Sequence, residues 1–237
     1  MGFSGVTGRG SSIDTANDTS ISRNPTSNII VGQLLFACGV TDNYATVAGA
    51  SNEHTVTDGK GNLWIKIAEY TQTSGVSSDG CTVSTFGTRV TTQINTTDAV
   101  TLILANAVFQ KCFALVEATV TAGNTFAVEQ VGTGFNATEA SVSSIPSREY
   151  LLLGHGGAEG GDATKTPDAD YTELHDIRSA GTGFPVNQHV VYRIATLTDD
   201  TCTSTTWEGG TDWMFTLAAL YETTPSAGNP WYAYQQM

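Results

Sequence analysis

The sequence predicts an all-β protein: a duplicated antiparallel β-sandwich, jelly-roll-like, with an extended N-terminal arm and a C-terminal tail. Short runs of apolar and β-branched residues alternate with turns rich in Gly, Asn and Asp, which is typical of sandwiches and barrels. No stretch of helical length has the apolar period of an amphipathic helix. Three strand-like motifs also recur in the same order in both halves of the 237-residue chain, which predicts a duplication.

The duplication rests on three pairs of motifs. Each pair has one member in each half of the chain: Ala114–Thr119 and Ala219–Thr224, Arg89–Thr92 and Arg193–Thr196, and Leu34–Gly39 and Leu151–Gly156. Two of the offsets nearly agree, and the third differs by about one loop, as expected when a scaffold is kept while its loops change length. We therefore expect residues 29–224 to form a sandwich from two pseudo-repeats, 29–120 and 148–224, each contributing about four strands to two facing sheets.

Strands are predicted where apolar residues run unbroken or alternate with polar ones. In the first repeat they fall at residues 29–40, 63–70, 81–94, 99–105 and 112–120, and in the second at 150–154, 171–177, 189–196 and 213–222. Two short strands, 126–131 and 141–145, join the repeats. The run 29–40 is too continuously apolar for a strand with one face in water, which indicates a fully buried strand.

Two glycine-containing segments are interpreted as structural. Asp58–Asn62 is predicted to be a tight turn, because Gly and Asn tolerate positive φ. Its oxygen atoms could also be offered to calcium, but Lys60 in the middle would repel the cation. The segment Gly154–Gly161 lacks the Gly-Lys-Ser/Thr ending and the following helix of a phosphate loop, so its glycines indicate close backbone packing or a wide loop.

Both ends of the chain are predicted to lie outside the sandwich. Residues 1–28 are polar, contain no apolar run that would make a signal peptide, and are expected to form an arm that lies on a neighbouring subunit or on the chain's own body. Residues 225–237 form a loop-like tail, whose Trp231, Tyr232 and Tyr234 should be covered by this body or by a partner. No segment has the length of apolar residues that a membrane span needs.

Composition and charge exclude several classes of partner. Charged residues make up 14% of the chain and the formal net charge is −13, with only 10 Lys and Arg. Phosphate neutralisation needs clustered cations, so no nucleic acid is expected as a partner, and an anionic membrane is disfavoured on the same ground. The four cysteines are too widely spaced for a metal or redox motif. Cys38 and Cys112 are predicted in the core, whereas Cys81 and Cys202, at strand edges, could pair.

The candidate chemical groups are few. His155, His175 and His189 fall on three strands of the second repeat and could bind a transition metal if those strands were neighbours with matching faces, although unrelated histidines would look the same. Glu117 and Glu222 occupy matching places in the repeat, which favours a structural role, for example facing Arg89 and Arg193, over a catalytic pair. We therefore expect no enzyme activity and no cofactor.

One segment suggests a family. Thr55–Trp64 resembles a turn that is a hallmark of lectin-like β-sandwich modules in bacteriophage virions, and the strand endings at Glu117 and Glu222 resemble the close of each half of such modules. The resemblance covers about residues 29–224, but the second half departs from it, because Thr166–Tyr171 lacks the Gly-Asn-x-Trp turn. It implies capsid decoration or cement proteins, tail components or receptor-binding domains, with no shared catalytic residues.

The expected function is that of a phage virion structural protein, a capsid decoration or cement protein that binds neighbouring capsid subunits. Such a protein would be made in the host cytoplasm, reside in the virion and form a homo-oligomer or part of a large assembly. The alternative is a receptor-binding tail component or a carbohydrate-binding module. The contact candidates for a glycan or a partner are Trp207, in a Thr-rich loop, and the tail residues Trp231, Tyr232 and Tyr234.

Overall fold

A computed structural model describes residues 2–42, 49–50, 53–72, 80–135, 139–160, 165–179, 185–202 and 213–224. These residues form strands, turns and loops, and none of them lies in a helix. The chain is therefore all-β, as the sequence predicts. Within the described residues no helix is long and apolar enough to cross a membrane.

The strands divide between the two halves of the chain. The first half contains β1 (Ser4–Asp14), β2 (Asp18–Arg23), β3 (Leu34–Asp42), β4 (Gly49–Ala50), β5 (His54–Thr57), β6 (Ile65–Thr71), β7 (Cys81–Arg89), β8 (Val100–Val108) and β9 (Lys111–Thr119). The second half contains β10 (Thr125–Phe135), β11 (Ala140–Val142), β12 (Arg148–Glu159), β13 (Thr172–Arg178), β14 (Val186–Leu197), β15 (Asp200–Cys202) and β16 (Trp213–Thr223).

Four antiparallel sheets stack in layers. The first inner sheet has the order β1-β9-β3-β7-β6-β4, and the second inner sheet has the order β10-β16-β12-β14-β13. The first outer sheet, β2-β8-β5, covers the free face of the first inner sheet, and the second outer sheet, β11-β15, covers that of the second. The inner sheets face each other across an apolar core that includes Phe36, Val116, Leu153 and Leu220. The expected pair of facing sheets was therefore wrong, because each half builds its own sandwich.

Stacking on both faces explains the unbroken apolar strands. Residues of β3, β7 and β9 are buried almost without alternation, since the first inner sheet has a sheet on either side. The alternate residues Leu35 and Ala37 face the first outer sheet, while Phe36 and Cys38 face the second inner sheet. The predicted buried strand at 29–40 is confirmed from Leu34 onward, whereas Ile30 and Val31 are exposed in the loop before β3.

The duplication is visible in the topology. In the first half the pairs β1·β9, β2·β8 and β3·β7 are nested, and the second half repeats them as β10·β16, β11·β15 and β12·β14. Nested antiparallel pairs are what a hairpin produces when it is rolled up into a jelly roll. The three sequence motifs fall on corresponding strands: β3 with β12, the end of β7 with that of β14, and β9 with β16.

The two halves are related by an approximate two-fold axis that runs along the strands. At the centre of the inner interface, β3 packs on β12. On either side, β9 packs on β14 while β7 packs on β16, and β1 packs on β13 while β6 packs on β10. Corresponding strands thus exchange partners in the way that the subunits of an isologous dimer do. Corresponding loops of the two halves consequently lie at the same end of the molecule.

The N-terminal segment is part of the double sandwich, so the expectation that residues 1–28 form an extended arm was wrong. β1 is an edge strand of the first inner sheet and pairs with β9, and β2 is an edge strand of the first outer sheet and pairs with β8. Phe3 is buried in the core between the two inner sheets, and Ile21 is buried in the core of the first sandwich. Edge strands expose much of their surface, and this is why the segment has an arm-like polar composition.

Buried ionic contacts also hold the N-terminal segment. The fully buried ammonium of Lys111 donates to the carbonyl oxygens of Ala16, at 2.5 Å, and Val108, at 2.9 Å. The same ammonium lies 2.8 Å from the Asp18 carboxylate and 3.5 Å from that of Asp14. Lys111 therefore joins the β1–β2 turn to the β8–β9 turn.

Three glycines of the Gly154–Gly161 segment permit close packing, which is one of the two roles that the sequence predicts for them. Gly154, Gly156 and Gly157 lie within β12 rather than in a loop. A Cβ atom at Gly157 would lie 2.5 Å from Cγ1 of Val40, and one at Gly154 would lie 2.7 Å from Cγ2 of Val191, which is closer than carbon atoms approach. Residues 154–159 are thus part of a buried strand against which the first inner sheet packs.

Candidate functional site: an end cleft and an exposed aromatic turn

The structure does not bring the three candidate metal-binding histidines together. His155 is buried between the inner sheets, where its Nδ1 lies 3.0 Å from Oγ1 of Thr85 and its Nε2 lies 2.9 Å from Nε2 of Gln188. His175 Nε2 contacts the carbonyl oxygen of Leu115 at 3.0 Å. His189 points to the opposite face of its sheet and contacts Glu173 at 3.0 Å. Within the described ranges, no group of three His, Cys, Asp or Glu side chains could hold a metal ion.

Two histidines are held neutral in the interior of the protein. His54 lies between the sheets of the first sandwich, where its ring contacts Thr41 at 3.1 Å and Ser84 at 2.7 Å. Burial lowers the pKa of His54 to about 4 and that of His155 to about 3. At neutral pH both rings are therefore uncharged hydrogen-bonding groups of the interior rather than bases that meet solvent.

All four cysteines are buried free thiols, so the suggested Cys81–Cys202 disulfide is absent. Cys81 belongs to the core between the inner sheets, whereas Cys202 belongs to the core of the second sandwich. Burial raises the pKa of the Cys38 and Cys112 thiols to about 12 and also raises that of Cys202. These thiols are consequently poor nucleophiles at neutral pH.

Glu117 and Glu222 are structural, but they are not equivalent and do not face Arg89 and Arg193. Glu117 lies opposite Thr7 and forms an ion pair with Arg9, which fixes β1 to β9. Glu222 lies opposite Phe126 and accepts hydrogen bonds of 2.7 Å from the Thr121 amide and the Asn124 side chain. Arg89 donates a hydrogen bond to the carbonyl oxygen of Asn124, and Arg193 donates one to the Asp200 carboxylate. The similar sequences around Glu117 and Glu222 therefore do not give the two glutamates equivalent neighbours in the sheets.

The Asp58–Asn62 segment is a turn, as predicted, and its oxygen atoms are already engaged. The Asp58 carboxylate accepts hydrogen bonds from the Lys60 amide at 2.8 Å, the Asn62 side chain at 2.8 Å and the Trp64 indole at 3.2 Å. Asn62 Oδ1 accepts from the amides of Thr91 and Thr92. The motif that carried the family resemblance therefore locks two loops together.

An open cleft lies at one end of the molecule, where the start of β12, the end of β16 and the β9–β10 link meet. We call it the end cleft; its volume is about 380 Å³, and it is lined by Asn124, Arg148, Glu149, Tyr221, Glu222, Thr223 and Thr224. A second cavity, beside His54, has a volume of about 10 Å³ and is only water-sized.

Some residues that line the end cleft are hydrogen-bonded to each other, whereas others have looser contacts. The Asn124 side chain donates a hydrogen bond to the Glu222 carboxylate. Burial raises the pKa of Glu222, but the hydrogen bonds from Thr121 and Asn124 lower this pKa by more, so the net shift is downward. Above them, the Arg148 guanidinium lies 4.4 Å from the centre of the Tyr221 ring and 3.8 Å from the Glu129 carboxylate. Tyr221 in turn packs edge-on against Tyr150, which orients both rings.

The opposite end of the first sandwich presents exposed apolar side chains. Phe109, in the β8–β9 turn, is 56% exposed, and Ile13, near the end of β1, is 46% exposed. In the β1–β9 register Ile13 lies opposite Cys112, near the start of β9, and Phe109 lies two residues before that start, so both residues belong to this end of the first sandwich. We call Phe109 and Ile13 the apolar end patch. β9 runs from this patch to the loop that borders the end cleft.

Sequence reasoning missed both features. The signal for the patch was an aromatic residue between two strands, in the Phe109-Gln110-Lys111 segment. The signal for the cleft was the charged pair Arg148-Glu149 before an apolar strand. The aromatic residues that were predicted to contact a glycan or partner, Trp207, Trp231, Tyr232 and Tyr234, lie outside the described residues.

No family model, curated protein or solved structure matches the chain. The fold and the geometry of these two surfaces are therefore the basis for assigning a function.

Proposed function

We propose that the chain is a structural protein of a bacteriophage virion: a decoration or cement protein that binds neighbouring capsid subunits through the apolar end patch. It would act as part of a large assembly located in the virion. The observation that carries the proposal is the exposure of Phe109 on a turn whose carbonyl groups on both sides of that residue are hydrogen-bonded.

The turn is held from three directions. Lys111 bonds to the carbonyl oxygen of Val108 on one side of Phe109, and the carbonyl oxygen of Gln110 on the other side accepts the Asp42 amide at 2.9 Å. Through Lys111 the turn is also tied to Asp18 of β2. An aromatic side chain on a preorganised support loses little conformational freedom on binding, and such residues are the usual anchors of protein interfaces.

The body of the protein suits a load-bearing role. Two sandwiches share the inner interface, in which Gln188 donates to the carbonyl oxygen of Cys38 at 2.8 Å and His155 bridges Thr85 and Gln188. Buried hydrogen bonds between packed sheets fix their relative position, because sliding one sheet would leave these groups unpaired. A rigid double sandwich with an apolar patch at one end fits a protein that reinforces a lattice.

Docking through the patch can be tested on phage heads that lack this chain, prepared from a mutant of the phage that encodes it. Purified protein would be mixed with the heads and pelleted. We expect Phe109→Ser to weaken binding at least about 30-fold, as for an interface anchor. Ile30→Ser is the matched control, because Ile30 is 52% exposed and lies in the loop before β3, at the opposite end. Equal binding by both variants, or loss in the control alone, would contradict docking through the patch.

The alternative is a receptor-binding tail component or a carbohydrate-binding module. The end cleft favours it, since polar groups and an aromatic ring converge there on an open space of about 380 Å³.

A further inference from the structure

We propose that the end cleft binds a saccharide, whichever position the protein takes in a particle. The ligand class is a mono- or disaccharide unit, free or at the end of a surface polysaccharide.

Polar side chains at this end of the molecule are mostly paired. Asp58, Asn62 and Asp98 are hydrogen-bonded in the first half, and Asp200 binds Arg193 in the second. Glu149 differs: no hydrogen bond or ion pair joins its carboxylate to another described residue, although this carboxylate lies against Gly2, where an added Cβ atom would be 1.5 Å from Oε1. The Tyr221 hydroxyl likewise has no hydrogen-bond partner among the described residues. Arg148 is 41% exposed and has only the loose contact with Glu129 and its stacking on Tyr221.

Arg148, Glu149 and Tyr221 form a complementary set around one space. Arg148 supplies donors, Glu149 supplies acceptors, and the Tyr221 hydroxyl can do either. Thr223 and Thr224 add hydroxyl groups at the rim. Each of the seven described residues that line the cleft has a side chain that can hydrogen-bond. A ligand that satisfies such a lining needs several neighbouring donors and acceptors on a compact frame, which is the chemistry of a sugar ring.

The size of the cleft fits this class. A volume of about 380 Å³ lies at the small end of the range for ligand sites, roughly 300–1,000 Å³. Because the cleft is open on one side, part of a bound ligand would face water. We therefore expect weak binding of a single sugar, with a Kd of about 1 mM, as follows from the usual free energy per atom for a ligand of this size.

The test is a saturation-transfer NMR screen of the full chain against D-glucose, D-galactose, D-mannose, N-acetyl-D-glucosamine, lactose and cellobiose. A polysaccharide of one of these sugars forms a second arm, and it shows whether the cleft prefers a chain end to the free sugar. At least one sugar should bind. No signal from any of them at 20-fold the expected Kd, about 20 mM, would overturn the proposal.

Variants locate the site. Glu149→Gln should weaken binding about 10-fold, since it replaces an ionised acceptor by a neutral amide of the same shape. Arg148→Ala should abolish the signal, because it removes the donor set. The matched control is Glu139→Gln, an exposed glutamate away from the cleft, which should bind as the unchanged protein does. Binding that persists in both cleft variants, or that is lost only in Trp207→Ala, would overturn the assignment. Unchanged thermal unfolding would exclude a folding defect.

Discussion

A chain that begins at Asn24, and so lacks β1 and β2, is expected not to fold. The loss of these two strands would expose the edge of β9 and one edge of β8. It would also remove the buried side chains of Phe3 and Ile21 from two different cores. Burial of each side chain is worth about 2–3 kcal/mol. The buried Lys111 would also lose the Ala16 carbonyl and both carboxylates, at a cost of about 3–5 kcal/mol for a buried charge left unpaired.

Together these losses are comparable with the whole stability of an ordinary domain, about 5–15 kcal/mol. Circular dichroism and urea unfolding of the truncated chain would therefore show no cooperative transition. The contribution of Lys111 can be measured apart from that of β1 and β2. The variant Lys111→Met should still fold, with a free energy of unfolding that is lower by about 2–3 kcal/mol. Lys60→Met, at a partly exposed lysine paired with Asp98, should change stability by less than about 1 kcal/mol. A truncated chain with an unchanged urea midpoint would restore the idea of a separate arm.

Acidification from pH 7 to pH 5 is expected to destabilise the protein by about 4 kcal/mol. His54 and His155 have folded-state pKa values of about 4 and about 3, below the ordinary value of 6.5. Between those values the unfolded chain binds protons that the folded chain does not, so stability falls as the pH falls. At pH 5 each histidine contributes about 2 kcal/mol to this loss.

Urea unfolding at the two pH values measures the effect. In His155→Gln the loss between pH 7 and pH 5 should shrink by about 2 kcal/mol, even if the variant is less stable at both. His175 and His189, whose pKa values burial also lowers, act in the same direction. A stability that stays level or rises between pH 7 and pH 5 would mean that these rings are charged in the folded protein.

Much of the architecture was predictable from sequence because inner strands are distinctive. β3, β9 and β16 are continuous apolar runs, and repetition of such runs in one order indicated two copies of one topology. The Asp58–Asn62 turn and the glycines of β12 were predictable because positive φ and close packing each demand particular residues.

The other features could not be predicted, because their sequence pattern does not reflect their surroundings in the fold. β1 is an edge strand held largely by backbone pairing and ion pairs, which impose little on composition. The expected pair of facing sheets was wrong because a strand covered on both faces has the same apolar sequence whichever sheets cover it. The end cleft combines Arg148-Glu149 with Tyr221-Glu222, segments that are distant in sequence and meet only through the pairing of β12 with β16.

The central claim, that this rigid double sandwich reinforces a phage capsid, is tested most directly by counting it in the particle. Quantitative mass spectrometry of purified virions, with the major capsid protein as the internal standard, gives the number of copies. A decoration or cement protein should be present in hundreds of copies, in a fixed ratio to the capsid subunits. A handful of copies per virion, or none, would contradict the claim and, in the first case, place the protein in the tail.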